Sequence, residues 1–229
     1  MFDNNLQSKA AHMATLCKLS HQQPLTVRRD AKHMGYDAIK HFDHDHVRGY
    51  GFVCQNHIVI SFVAKVAKIS HNTHCKYTRN ISGYFVNEAY EQMIQDIWPD
   101  MNFWMQLYPN RKRYFCGHGT AGAIATLAAA RMKKFTTVIT FASTKAGSRK
   151  FANWFNDHHL CYRLNAYHDS IKLNPFLHGH VGFEYIIDKN GEIRYPSFIN
   201  KISQLSAFFR KKEVDINEYW ELLNKKAKN

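Results

Sequence analysis

The sequence predicts an α/β fold in which a mainly parallel central sheet carries helices on both faces. Apolar or β-branched runs at 114–116, 136–141 and 160–166 alternate with helical segments, and repeated β-α-β units of this kind build parallel sheets. A chain of 229 residues suits one large domain, which buries about three-quarters of the surface that its unfolded chain exposes. We therefore expect a single domain over residues 1–229.

The first third of the chain predicts a helix followed by a hairpin. Residues 6–19 carry apolar side chains at helical spacing and predict an amphipathic opening helix. Two apolar runs at 50–54 and 57–63 flank a short polar turn, which predicts a hairpin leading into a buried strand. Residues 64–80 have little periodicity and are expected to form a loop.

Further elements follow along the chain. Residues 84–98 place apolar side chains on one face of a helix, and Pro99 is expected to end it, with a second helical piece up to Tyr108. Residues 183–187 predict a strand closed by a turn at 188–191. Apolar residues at helical spacing from about residue 198 predict two C-terminal helices over 198–229.

The net charge of the chain indicates which classes of partner it can attract. There are 31 Lys and Arg against 18 Asp and Glu, a formal net charge of +13, so the surface field favours anionic partners such as a phospholipid membrane surface. The basic residues are scattered, and no aromatic or glycine-rich RNA motif accompanies them, so we do not expect nucleic-acid binding. A protein partner that uses the basic face remains an alternative.

The cysteines and the first residues bear on the compartment. Five cysteines without CxxC spacing indicate neither a zinc site nor a disulfide framework, and a reducing compartment is the simpler interpretation. Charged residues interrupt residues 1–20, and no apolar run is long enough to span a bilayer. We expect a cytoplasmic protein, or one exported by a route without a signal peptide.

Two further groups of residues have alternative interpretations. Residues 41–46 read His-Phe-Asp-His-Asp-His, and imidazoles and carboxylates are ligands for divalent metals. Neighbouring residues point apart and no helical i, i+4 pair orders them, so a solvated loop is favoured. Cys116 is interpreted as a buried apolar residue. We therefore expect no metal and no cofactor.

Residues 114–130 are the most informative segment: a short apolar strand, a turn of small residues and an alanine-rich helix. A strand that turns sharply into a helix at a small-x-nucleophile-x-small sequence is a nucleophile elbow, where small flanking residues let the two backbones approach closely. Gly117 and Ala121 provide the small flanks here. The residue between them, at the position of the nucleophile, is Gly119.

This segment closely resembles the GHSLGGALA elbow of the class 3 (fungal-type) lipases, a family of α/β-hydrolases. Three further segments resemble motifs of that family in the same order. Residues 140–152 are similar to its TFG-x-PRVGN…FA segment, residues 162–175 to the strand and loop with the triad aspartate, and residues 180–187 to its H-x-G-x-E-Y-W-I segment. The resemblance covers roughly residues 5–190 and implies the α/β-hydrolase fold.

The resemblance also implies roles for individual residues. Asp169 would orient His180, and His180 would take a proton from the nucleophile. Gly119 has no side chain, so the acyl-enzyme route is closed there. Thr120 is the nearest hydroxyl, but using it as nucleophile would put His118 where a small residue is needed. Asp169 could instead be a turn aspartate, and His180 an ordinary hydrogen-bonded histidine.

The chain departs from the family pattern at more than the nucleophile. The last residue of the family's F-R-G-T segment helps to build the oxyanion hole, and Lys65 stands there without the required hydroxyl. The histidine of the family's H-x-G-F segment is Ile81, and Thr144 and Lys145 replace a proline and an arginine. Thr120 and His118 remain the other candidates for contacts with substrate or oxyanion.

These observations support three hypotheses. The first is a lipase-like protein without hydrolytic activity that retains a pocket for a lipid, an acyl ligand or a partner. The second is an active lipase, phospholipase or esterase from which the serine has been removed by substitution at position 119. The third is a basic protein-interaction module.

Overall fold

The computed structural model describes residues 6–65, 76–80, 82–169, 178–196 and 214–225. Its main sheet has eight strands in the order β1-β2-β3-β6-β7-β9-β11-β12. The strands are β1 (Ala38–Asp43), β2 (Val47–Val53), β3 (His57–Ala64), β6 (Lys112–His118), β7 (Thr137–Phe141), β9 (Leu160–Ala166), β11 (Phe183–Ile187) and β12 (Ile193–Arg194). The five strands from β3 to β11 are parallel, and antiparallel strands flank them at both ends.

A small antiparallel sheet and six described helices complete this part of the chain. The small sheet has the order β10-β8-β5-β4, with β4 (Tyr77–Arg79), β5 (Phe85–Asn87), β8 (Gly147–Ser148) and β10 (His178–Gly179). The helices are α1 (Leu6–Leu19), α2 (Pro24–His33), α3 (Glu88–Gln106), α4 (Thr120–Ala130), α5 (Arg149–His158) and α6 (Ile216–Asn224).

The helices cover both faces of the main sheet, and each face has its own apolar core. In one core, α3, α4 and α5 pack against strand side chains such as Ile60 and Phe115. The other packs α1, α2 and α6 on side chains such as Phe52 and Phe141. Side chains alternate between the two faces along each strand, so strands such as β3 are apolar almost throughout. The predicted fold class is confirmed.

Helix α4 lies in the middle of this arrangement. Ten of its residues, Ala121 through Ala130, are buried, so the helix has no solvent-facing stripe. Small side chains, six of them alanine in that span, let its backbone lie close to the sheet on one side and to α3 on the other.

The helix predicted over 84–98 differs from the structure at both ends. Residues 85–87 form β5, and α3 begins at Glu88, where the Asn87 side chain accepts a hydrogen bond from the backbone N–H of Tyr90 at 3.1 Å. Pro99 does not end the helix, which continues to Gln106. Pro99 is exposed, so water can satisfy the carbonyl that loses its partner, while buried Ile97 and Met101 hold both flanking turns.

Other predictions about the first 80 residues were wrong in part. The loop predicted over 64–80 contains β4, whereas residues 66–75 lie outside the described residues. Residues 38–43 form β1, so the solvated loop expected at 41–46 is limited to 44–46. His41 stacks on Tyr50 with ring centroids 4.5 Å apart, and this cross-strand packing draws the segment into the sheet.

The C-terminal region is described in part. Of the two helices expected over 198–229, the second is α6, and residues 197–213 and 226–229 lie outside the described residues. Helix α6 packs beside α1, and the indole N–H of Trp220 donates to the Thr15 hydroxyl at 3.1 Å. In the part of the chain that the structure describes, no helix has both the length and the apolar character needed to cross a bilayer.

Candidate active site

Gly119 occupies the turn between β6 and α4, at the carboxyl edge of the parallel strands. Its backbone has φ 59° and ψ −123°, a conformation that residues with a Cβ adopt only under strain. Neighbouring strands hold the turn in place. The N–H of Gly119 donates to the carbonyl of Phe141 at 2.8 Å, and the Gly119 carbonyl accepts from the N–H of Gly122 at 3.1 Å and from Thr144 at 3.3 Å.

The glycines that flank the turn are required by close packing. A Cβ on Gly117 would lie 2.4 Å from the carbonyl oxygen of Ala121, and a Cβ on Gly122 would lie 2.7 Å from the hydroxyl of Ser143. Such distances are too short for any side chain. The strand and the helix therefore approach each other as a nucleophile elbow requires.

Gly119 itself has free space where a side chain would be. Among the described residues other than its two chain neighbours, no atom lies within 4 Å of an ideal Cβ at this position, so within this part of the chain the backbone conformation is what disfavours a larger residue. The space adjoins the N-terminus of α4, where the first backbone N–H groups of a helix lack intrahelical acceptors and carry partial positive charge.

Thr120 is directed away from a role as nucleophile. It is the first residue of α4, and its side chain hydrogen-bonds Tyr90. The Thr144 hydroxyl donates to the same phenol oxygen at 3.3 Å. Burial raises the pKa of Tyr90, and these two hydroxyls oppose the shift. Tyr90 thus joins α3 to the elbow and to the segment after β7, a contact that the sequence did not predict.

Asp169 follows β9 at the same edge of the sheet and is buried, with 7% of its surface exposed. Its N–H donates to the carbonyl of Ala166 at 3.0 Å. Its carboxylate accepts a hydrogen bond from the Tyr219 hydroxyl at 2.7 Å, and that phenol oxygen in turn accepts the N–H of Ala166 at 2.9 Å. Burial, followed by the Asp169 charge, raises the pKa of Tyr219 well above its ordinary value.

Helix α6 places Tyr219 beside Asp169 through two further contacts. The His118 ring lies 2.8 Å, Nε2 to oxygen, from the carbonyl of Val214, just before the helix. The His168 ring pairs with the Glu218 carboxylate. His118 and His168 thus contact the C-terminal segment at and just before α6. His118 is a predicted substrate-contact residue, and its ring lies against the carbonyl that precedes this helix.

The structure does not bring His180 to Asp169. Strand β11 runs parallel to β9 with Phe183 opposite Tyr162, and His180 precedes β11 whereas Asp169 follows β9. The start and the end of β11 are separated by roughly 13 Å, which is four residue steps of about 3.3 Å each. On either side of His180, a Cβ on Gly179 would lie 2.8 Å from Ala152 of α5, and the Val181 carbonyl accepts from Arg163 at 2.8 Å.

Comparison with known proteins connects this geometry to a family. The sequence profile of the class 3 lipases matches residues 53–177, more than half of the 229 residues. The chain belongs to the class 3 lipase family. The match spans β3, the elbow, β9 and Asp169. Comparison with curated protein sequences finds no match.

Solved structures agree with the family assignment at the level of the fold. Lipase II from Rhizopus niveus superposes with a TM-score of 0.65 at 18% identity, covering 87% of this chain and 89% of that one. A mutant form of MDLA from Penicillium cyclopium gives 0.69 at 13% identity, covering 96% and 95%. A mono- and diacylglycerol lipase from Aspergillus oryzae gives 0.65 at 15% identity, covering 81% of each.

Lys65 follows the end of β3 at the carboxyl edge, and by the family resemblance it stands at the oxyanion position. Its ammonium forms an ion pair with Asp43 at the end of β1, and its N–H donates to the carbonyl of His46 at 3.0 Å. The role expected for Lys65 in substrate or oxyanion binding stays a prediction. Among the described residues, no group of three or more His, Cys, Asp or Glu side chains could hold a metal ion.

Proposed function

We propose that this class 3 lipase family member has no serine-hydrolase activity as its sequence stands and uses the space at the elbow to bind an acyl ligand. The single observation that carries the proposal is Gly119, which has the strained elbow conformation and no side chain to attack an ester. Without a nucleophile, only weak catalysis from positioning remains.

The surroundings of Asp169 support the same conclusion. The carboxylate accepts from Tyr219, and His118 and His168 are engaged with residues at and before α6. A triad aspartate must instead orient a histidine. The hydrogen bond from Tyr219 thus occupies one carboxylate oxygen that a triad aspartate would use.

Binding is supported by the features that remain at the elbow. The space over Gly119 is open, and the N-terminal amides of α4 suit a carboxylate or an ester carbonyl oxygen. The net charge of +13 favours an anionic ligand or surface. The ligand class that fits best is a fatty carboxylate or an acyl ester.

Two measurements test the proposal. The purified chain should show no turnover of short-chain p-nitrophenyl esters and no labelling by a fluorophosphonate probe, and stoichiometric labelling at any serine or at Thr120 would contradict this. A fluorescent fatty acid should bind, and Gly119→Leu should abolish binding by filling the space. Gly83→Leu is the matched control, because Gly83 also has positive φ and, among the described residues, no atom within 4 Å of an added Cβ. Equal binding by both variants would place the ligand elsewhere.

The open space also favours a second candidate, an ester hydrolase whose serine was removed by substitution at position 119. The Cβ of a serine at this position would have no atom of the described residues within 4 Å apart from those of its chain neighbours. Robust ester hydrolysis after Gly119→Ser would select this candidate over the first.

A further inference from the structure

A second cleft lies at the opposite edge of the main sheet from Gly119. Its volume is about 1040 Å³, enough for a ligand larger than a typical drug molecule. The walls are residues 8–12 of α1, the loop 34–37 between α2 and β1, the turn 54–57 between β2 and β3, and residues 110–114 at the start of β6. Nothing in the family assignment uses this cleft.

A thiol and an imidazole meet in its wall. Cys54 and His57 flank the two-residue turn between β2 and β3, and the N–H of Cys54 donates to the His57 carbonyl at 3.1 Å. The tight turn brings the Cys54 Sγ to 3.1 Å from Nδ1 of His57. The pair is thus set by the hairpin backbone and needs no rearrangement to form.

Aromatic side chains fix the imidazole in this position. The His57 ring packs edge-on against Tyr36, with centroids 6.0 Å apart, and against Tyr114 at 5.7 Å. The Tyr36 hydroxyl lies 2.6 Å from Nε2 of His12. Burial lowers the pKa of His57 to about 4. His57 is therefore neutral at pH 7 and contacts the Cys54 sulfur as an uncharged ring.

The other described cysteines are enclosed. Cys17, Cys116 and Cys161 are at most 1% exposed, and burial raises the pKa of the Cys116 thiol and raises that of Cys161 to about 12. Cys54 is half-buried and opens into the cleft. Since the thiolate is the reactive form and needs access to its partner, Cys54 is the reactive candidate within the described part of the chain.

The cleft also selects for charge. Lys9 of α1 and Lys112 of β6 lie in its wall, against one carboxylate, Asp37. Lys112 is opposite His57 in the parallel pairing of β3 with β6, and its N–H donates to the carbonyl of Asn56 at 3.3 Å. The lining of the cleft thus carries two lysines against one carboxylate, which favours a ligand that carries carboxylates.

From this geometry we propose that Cys54 is a modification site that undergoes thiol–disulfide exchange with a small anionic disulfide bound in the cleft. Each half of this disulfide is about the size of a tripeptide. The Cys54 sulfur attacks one sulfur of the disulfide, a new S–S bond forms, and the old one breaks. The Cys54 thiol loses its proton to solvent, and the leaving thiolate takes up a proton from solvent. Cys54 is oxidised to the mixed disulfide and half of the small disulfide is reduced. Lys9 and Lys112 bind its carboxylates.

The test uses two disulfide probes of opposite charge, oxidised glutathione and cystamine. Cys75 lies outside the described residues, so the measurements are made on the full chain carrying Cys75→Ser. Intact mass and peptide mapping should show one mixed disulfide, at Cys54, and none with Cys54→Ser added. Relative to the same reactions of N-acetylcysteine, the rate with oxidised glutathione should exceed that with cystamine by about tenfold.

Matched variants test whether the two cleft lysines cause the preference for the anionic probe. Lys9→Gln with Lys112→Gln should remove the preference for the anionic probe, while Lys150→Gln, an exposed lysine on α5, should leave it unchanged. The folding of every variant is checked by circular dichroism. Equal normalised rates with the two probes, modification at another cysteine, or an unchanged preference in the double lysine variant would each overturn the proposal.

Discussion

The two edges of the main sheet carry opposite combinations of backbone and side chain. At the carboxyl edge the backbone has the geometry of a nucleophile elbow, yet the residue at its tip is Gly119. At the amino edge an ordinary hairpin turn holds Cys54 and His57 in contact. The comparison teaches that fold and chemistry are separable: strand order determines where a reactive group would be presented, and the side chain decides whether one is.

Two glycines make the same comparison at matched positions. Gly119 at the carboxyl edge and Gly35 in the amino-edge cleft both have positive φ, and at either one an added Cβ would have no atom of the described residues beyond its chain neighbours within 4 Å. Each can be replaced with strain confined to the backbone. Substitutions at these sites can therefore change one edge while leaving the other intact.

The largest effect is expected from Gly117→Ala at the elbow. The added methyl would lie 2.4 Å from the Ala121 carbonyl oxygen, which is backbone and cannot move without shifting α4. We expect a loss of about 3 kcal/mol in the free energy of unfolding, or failure to fold. Urea denaturation measures it. Gly119→Ala is the control and should lose less, because only its φ is unfavourable; an equal loss would mean that the elbow is not closely packed.

A smaller effect concerns acid stability at the amino edge. Burial lowers the pKa of His12 to about 4, whereas an unfolded histidine titrates near about 6.5. The unfolded chain therefore binds the proton first as pH falls, so stability should decrease from pH 6.5 towards pH 4, by on the order of 2 kcal/mol from this residue.

Denaturation midpoints at pH 7.5, 6.0 and 5.0 measure this slope. His12→Gln should flatten the slope, while His33→Gln, at the exposed end of α2, should not. If His12→Gln leaves the slope unchanged, the neutral state of this imidazole does not contribute to acid sensitivity.

The sequence predicted the carboxyl edge better than its surroundings. Glycines and alanines over 117–130 have few alternatives to a close strand-helix approach, so the elbow and α4 could be predicted locally. Helix α3 could not, since its continuation through Pro99 depends on packing of Met101 and Trp104. Tyr219 was missed for the same reason: it is 50 residues from Asp169 in sequence, and only the docking of α6 brings them together.

The His180 prediction shows how local similarity can mislead. The flanks of the motif at 180–187 matched the family, and chain order suggested a triad histidine. The parallel pairing of β11 with β9 instead puts the start of the motif towards the amino edge. Sequence order alone does not indicate which end of a strand a residue reaches.

A third prediction tests whether the carboxyl edge can regain chemistry. Gly119→Ser should lower stability by about 1.5 kcal/mol, because serine adopts φ 59° poorly. It should recover little ester hydrolysis, since by the family resemblance Lys65 stands where an oxyanion hydroxyl is expected, a loss worth about a hundredfold to a thousandfold, and Asp169 accepts from Tyr219.

A thermal melt and an ester assay compare the wild type, Gly119→Ser, and Gly119→Ser with Lys65→Thr. We expect both variants to remain far below an active esterase, with the double variant the more active of the two. High activity in the single variant would show an otherwise intact site and would support the second candidate function.

The smallest effect is expected from Tyr219→Phe, which tests the contact that distinguishes Asp169 from a triad aspartate. The phenylalanine ring keeps the packing against Phe141, 5.6 Å between centroids, but removes the donor to Asp169 and the acceptor for the Ala166 N–H. A buried hydrogen bond contributes about 1 kcal/mol net, and somewhat more when a charged partner is left behind. Tyr195→Phe is the control, because Tyr195 is 72% exposed and its hydroxyl accepts from Tyr185 near the surface. Urea denaturation should show a loss of about 1 kcal/mol for Tyr219→Phe and none for the control. If Tyr219→Phe instead stabilises the chain, the phenol does not hold the carboxylate, and the contact does not distinguish Asp169 from a triad aspartate.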